Sequence, residues 1–142
     1  MAGGGGAIVA DASVVVGWLA DEPSADRLEA AIRRSFAGPG MLVPSHFPFE
    51  VANALVMGER RGRWRPEHTK EWFEMLGRMR IVAELPPDHV ALAKLAQLAR
   101  DLTLTAYDAA YIELAARRRV PLLTFDSRLA EAAARKGVET LG

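Results

Sequence analysis

The chain contains no cysteine. That excludes a disulfide scaffold, a thiolate zinc site and a cysteine nucleophile. It also fits a reducing compartment, so a cytoplasmic location is expected. Charge of either sign is not in excess: 18 Lys+Arg balance 18 Asp+Glu, for a formal net charge of +0. A uniformly basic, nucleic-acid-coating protein is therefore excluded, although a local basic patch is not. No apolar run approaches the length of a membrane span. The opening Met1 to Ala7 lacks the basic and long apolar regions of a signal peptide. Its glycines, Gly3 to Gly6, read as a flexible lead-in over residues 1–6, with one domain expected over 7–142.

Within 142 residues, 50% hydrophobic and 25% charged, there is material for one globular domain. Four short, almost wholly apolar segments read as buried strands: Ile8 to Ala10, Met41 to Val43, Ile81 to Ala83 and Pro121 to Thr124. Val138-Glu139 adds a fifth. Helical patterns lie between them. Val14 to Leu19 is apolar nearly all round. A second helix opens at Pro23-Ser24, with Ala25, Leu28, Ala31, Ile32 and Ser35 or Phe36 stepping by three and four. A third, with Pro48 in its first turn, runs to about Arg61 and is stopped by Gly62, and a fourth covers Glu67 to Gly77. Others span Asp88 to Arg100, the stretch from the cap Thr105 to Arg118, and Ser127 to Lys136. Strands alternating with helices predict an α/β domain: a short parallel sheet of four to five strands, flanked by helices on both faces.

Ligands of open parallel sheets bind beyond the carboxyl ends of the strands. Asp11 follows the first strand, with Ser13 two residues on. Asp126 follows the fourth, with Thr124 two residues before. Either aspartate can also be read as a helix N-cap. Glu50 stands in the first turn of a helix, where the dipole favours it, and shares a face with Asn53, Ala54 and Met57. Asp108 heads an otherwise apolar stripe with Tyr111, Ile112 and Ala115, while Thr105-x-x-Asp108 resembles a capping box. Four acids from four distant segments thus fall near strand ends or helix starts. Held close they would repel, and some would take up protons. A hard divalent cation, Mg²⁺ or Mn²⁺, would remove that conflict and suit phosphoryl chemistry.

The segments Ile8-Val-Ala-Asp-Ala-Ser13, Val43-Pro-Ser-His-Phe-Pro-Phe-Glu-Val-Ala-Asn-Ala-Leu55, Leu104-Thr-Ala-Tyr-Asp-Ala-Ala-Tyr111 and Leu122-Leu-Thr-Phe-Asp-Ser127 together resemble the PIN-domain family. Within it they resemble the VapC-type toxin ribonucleases of toxin–antitoxin pairs. The resemblance covers nearly the whole chain after Gly6. It implies Mg²⁺- or Mn²⁺-dependent endoribonuclease activity, by in-line attack of a metal-activated water that leaves a 5′-phosphate. Asp11, Glu50, Asp108 and Asp126 match the family's acidic metal-site positions. The reading gives Asp11 and Asp108 the principal ion, and Glu50 and Asp126 a second ion or the water. Ser13 and Thr124 match accessory hydroxyls, and Asn53 matches a companion of the glutamate. The resemblance also implies a tRNA- or rRNA-class substrate, a homodimer and a VapB-type antitoxin whose C-terminal segment covers the site.

Arg60, Arg61, Arg63 and Arg65 surround Trp64 and can be read as an RNA track with a stacking base platform, or as a solvated helix end. Arg117 to Arg119 read as a helix end. His46, His68 and His89 lack metal-ligand spacing and fit surface or packing roles. Trp18, Trp72 and Phe73 fit core or interface packing. The apolar helical stretches Phe47 to Met57 and Trp72 to Leu76 can line a groove for a partner helix. Two other functions share these features. A PIN-like binding module without catalysis would be expected to lack an acid, and none is missing. A Mg²⁺-binding phospho-receiver would need a paired acid after the first strand, where Asp11 stands alone.

Overall fold

The computed structural model describes residues 6–141; the expected lead-in therefore lies almost wholly outside the described residues, Gly6 excepted. Five strands form one parallel sheet: β1 (Ile8–Ala10), β2 (Met41–Val43), β3 (Ile81–Ala83), β4 (Leu122–Leu123) and β5 (Thr140–Leu141). Their spatial order is β3-β2-β1-β4-β5. Val9 pairs with Leu42 on one side and Leu122 on the other. This places β1 at the centre, which explains why Ile8, Val9 and Ala10 are all buried.

The chain lays β1, β2 and β3 outward in one direction, then returns past β1 to place β4 and β5 on the other side. Right-handed crossovers require the covering helices to change face at that reversal. The first layer comprises α1 (Ala12–Leu19), α2 (Glu29–Ala37), α3 (Phe47–Arg60) and α4 (Pro66–Arg78). The second comprises α5 (His89–Leu102), α6 (Ala106–Arg118) and α7 (Ser127–Arg135). α1 packs on α3, α5 on α6, and α6 on both β1 and α7. The crevice between the C-terminal ends of β1 and β4 is the topological switch point of the sheet.

Two elements differ from expectation. The segment after Pro23 begins as a 3₁₀ helix, Pro23–Leu28, before α2 starts. Its buried residues, Ala25 and Leu28, are three apart, the repeat of a 3₁₀ turn; Ala31, Ile32 and Ser35 then follow the wider period. The fifth strand lies at Thr140–Leu141, not Val138-Glu139. Gly137 adopts φ +71, and the Val138 amide donates to the Ala133 carbonyl at 2.9 Å, closing the end of α7. Val138 is thus consumed by helix termination, and pairing with β4 begins only at the Glu139 carbonyl.

Candidate active site

Asp11 leaves the central strand and immediately caps α1. Its Oδ1 accepts from the Val14 amide at 3.0 Å and from Ser13 Oγ at 2.7 Å. Its Oδ2 accepts from Thr124 Oγ1 at 2.6 Å, reaching across to the end of β4. Of about four acceptor positions on a carboxylate, three are filled and one is open. Burial pushes the Asp11 carboxyl above its ordinary value; the three donors work against that shift, and the nearby Glu50 charge adds to it.

Asp126 caps α7, its Oδ1 accepting from the Arg128 and Leu129 amides at 2.9 and 3.3 Å. Its own amide donates to Thr124 Oγ1 at 3.0 Å. Thr124 therefore holds both aspartates at once, donating to one side chain and accepting from the backbone of the other. Capping and site-building are one arrangement here, not alternatives.

Asp108 lies in the first turn of α6, where the Thr105 hydroxyl accepts its amide at 3.1 Å, the forward half of a capping box. Burial raises its pKa, and the charges of Asp126, Glu50 and Asp11 raise it further, against the Thr105 bond. Glu50, in the first turn of α3, is treated differently. Burial would raise its pKa, but the His46 imidazole and the Tyr111 hydroxyl beside it bring the net shift below the ordinary value. Tyr111 Oη donates to Glu50 Oε1 at 2.6 Å. His46 Nε2 stands 3.3 Å from the same oxygen, but not in line as a hydrogen-bond donor. Tyr111 itself is pushed far up by burial and by Glu50, so it remains a neutral donor.

The PIN-domain family model matches residues 8–135. This chain belongs to the PIN-domain family. The PIN domain is 36% identical over 128 residues to Ribonuclease VapC3 of Mycobacterium tuberculosis, found in two strains, covering 88% of this chain and 86% of the relative. The crystal structure of PAE2754 from Pyrobaculum aerophilum superposes with a TM-score of 0.67 at 22% identity, over 94% of this chain and 82% of that one. At that identity the likeness speaks for the fold.

In this PIN domain Ser13 and Thr124 are bonded to Asp11, Thr124 also holds the Asp126 amide, and Tyr111 joins Glu50 to α6, the helix of Asp108. Among the described residues, no three Asp, Glu or His side chains form a closed ligand cage. The donor chemistry still fits a hard divalent cation. The donors are all carboxylate oxygens, one position on Asp11 is open, and Asp108 carries the repulsion that a cation would remove. Asn53 lies one turn beyond Glu50 on α3 and is exposed.

The arginine cluster is dispersed. Arg63 pairs with Glu22 and lies 4.7 Å over the Trp64 ring. Trp64 is buried, and its indole N–H donates to the Leu55 carbonyl at 2.9 Å. A base-stacking role for Trp64 is thereby overturned, since its faces are spent on packing. Arg60 and Arg61 are exposed at the far end of α3, about 15 Å from Glu50 at 1.5 Å of rise per residue, and exposed Arg65 is the N-cap of α4. What the sequence reading missed is the Glu50 environment. The sequence reads His46 as a surface or packing residue and Tyr111 as part of an apolar stripe. The available signals were spacing alone: His46 four before Glu50 on one helix, Tyr111 three after Asp108 on another.

Proposed function

We propose that this PIN domain is a divalent-metal-dependent endoribonuclease, the toxin of a VapBC-type toxin–antitoxin pair. The observation that carries the proposal is the bonding that links the acid-bearing segments: Thr124 holds Asp11 and the Asp126 amide at the ends of β1 and β4, and Tyr111 ties Glu50 to α6, the helix of Asp108. The name of the relative, Ribonuclease VapC3, supports the same reading. When bound, Mg²⁺ or Mn²⁺ would polarise the phosphodiester and make hydroxide accessible near neutral pH. Asp11 is the most rigidly held ligand, fixed by Ser13, Thr124 and the Val14 amide. Asp108 supplies the carboxylate with most to gain from a cation. Glu50 and Asp126 complete the acidic rim, toward a second ion or the attacking water. Asn53 stays a candidate companion of Glu50.

An RNA strand entering this rim meets exposed Tyr107, whose ring lies 5.4 Å from that of His46. Arg60, Arg61 and Arg65 offer phosphate contacts further along the strand, with Arg63 already engaged. A VapB-type antitoxin is supported by the cleft lined by Trp18, Phe36, Met75 and Met79 and edged by Arg78 and Arg80, which suits an apolar segment carrying acids. Exposed Leu85, Val90 and Leu92 are consistent with the homodimer expected from the resemblance. No helix among the described residues is long and apolar enough to cross a membrane.

The test is cleavage of total cellular RNA by purified, antitoxin-free protein with Mg²⁺ or Mn²⁺. Discrete fragments are expected, lost in EDTA and reduced at least about 100-fold in folded Asp11→Asn and Asp108→Asn variants. Metal binding without cleavage would favour a binding module instead. Equal cleavage by the variants would remove the acids from the mechanism.

A further inference from the structure

We infer that Tyr111 is a positioning residue for the metal centre proposed above: its hydroxyl tethers the Glu50 carboxylate of α3 to α6, the helix that carries Asp108. The inference rests on the metal-dependent reading. Tyr111 is 1% exposed and lies one helical turn after Asp108. A buried tyrosine hydroxyl needs a partner, and here the partner is one of the cluster's own carboxylates, at 2.6 Å. The tether spans 61 residues of sequence.

The arrangement around Glu50 is one-sided. Tyr111 Oη and His46 Nε2 both approach Oε1, and neither takes Oε2. The His46 ring is itself set against the Tyr111 ring, edge to face, with centroids 5.3 Å apart. Tyr111 therefore bonds one carboxylate oxygen, with the His46 ring set beside it, and the other oxygen is left for a ligand role. A phenylalanine would fill the same volume. What the hydroxyl adds is restraint on a glutamate with three rotatable bonds that stands among other negative charges. Without the tether, repulsion from Asp11 and Asp108 favours rotamers that carry Glu50 away from the cluster. Because Asp108 and Tyr111 share a rigid helix, the tether also sets the separation of the Glu50 and Asp108 carboxylates.

Partners of metal ligands that lie one bond further out typically change metal affinity or activity by about 10–100-fold when removed. The experiment is calorimetric titration of Mn²⁺ into metal-stripped protein, with folding verified by circular dichroism. Wild type is compared with Tyr111→Phe, Glu50→Gln, Asp108→Asn and the Tyr111→Phe/Glu50→Gln double variant. Tyr111→Phe is expected to bind Mn²⁺ about ten-fold more weakly. The double variant is expected to bind no more weakly than Glu50→Gln alone, because Tyr111 acts through Glu50. Wild-type affinity in Tyr111→Phe, or a fully additive loss in the double variant, would overturn the inference while leaving the metal centre standing. Unchanged Mn²⁺ binding in both Glu50→Gln and Asp108→Asn would remove the metal reading, and this inference with it. If Tyr111→Phe does not fold, Glu50→Asp keeps the charge but withdraws it from the hydroxyl; wild-type affinity there would equally overturn the tether.

Discussion

Asp108 is a residue whose charge works against the fold that holds it. The dipole of α6 favours an anion in its first turn by about 0.3–1 kcal/mol. Burial and three neighbouring carboxylates outweigh that, and the net pKa shift is upward from 3.8. Between the unfolded and folded pKa values the folded chain binds more protons, so stability falls as pH rises through the folded value. The Asp108→Asn variant lacks this penalty. In EDTA it is expected to melt above wild type at pH 7, with the gap closing as pH falls toward 4. Thermal denaturation from pH 4 to 7.5 checks this, and a variant melting at or below wild type at pH 7 would refute it. Asp11 follows the same sign, but its side chain also caps α1, so its replacement mixes two effects. Glu50 has the opposite sign: its contribution is present above the unfolded pKa and lost as pH falls through the lowered folded value.

Helix α3 shows how an element end is fixed by one packing choice. Trp64, just past the helix, folds back so that its indole lies on Gly58, and a Cβ at that glycine would meet the ring at 2.0 Å. An alanine is the better helix former by about 1 kcal/mol. Overpacking against a buried indole costs about 1–3 kcal/mol, and the ring also risks its bond to the Leu55 carbonyl. Gly58→Ala is therefore expected to lower the melting temperature by several degrees, measurable by circular dichroism. An unchanged or higher value would mean that the turn at Gly62 adjusts freely. The ends of α3 were readable because Pro48 and Gly62 are local signals. So were β1 to β4, which are short apolar runs between breakers. The shift of β5 by two residues was not, because Val138 is apolar whether it pairs in a strand or closes a helix. In the site, Asp11, Asp126, Ser13 and Thr124 were legible from one rule about strand ends. The Tyr111–Glu50 bond was not: nothing in either local segment records a contact 61 residues away.

Taken as a whole, the molecule is neutral, and four of its 18 acidic residues make up the candidate site. A cation that binds there and not to the unfolded chain stabilises the fold by mass action, by about 2.7 kcal/mol at 100 times its dissociation constant. For a chain of this length that corresponds to a rise of roughly 10 °C in melting temperature. Melts over a Mn²⁺ series should show this rise for wild type and a much flatter response for Asp108→Asn. Identical curves would place the ion elsewhere.

The hydrogen bond from Thr124 to Asp11 joins residues 113 apart in the chain. During synthesis, Asp11, Glu50 and Asp108 all emerge before the segment that secures the first of them. A polypeptide halted before β4 has neither Thr124 nor Asp126, and its central strand lacks a neighbour on one side. For a protein proposed to cut RNA, the order of translation then matters: the bonding that secures Asp11 cannot form until the chain has been made through β4.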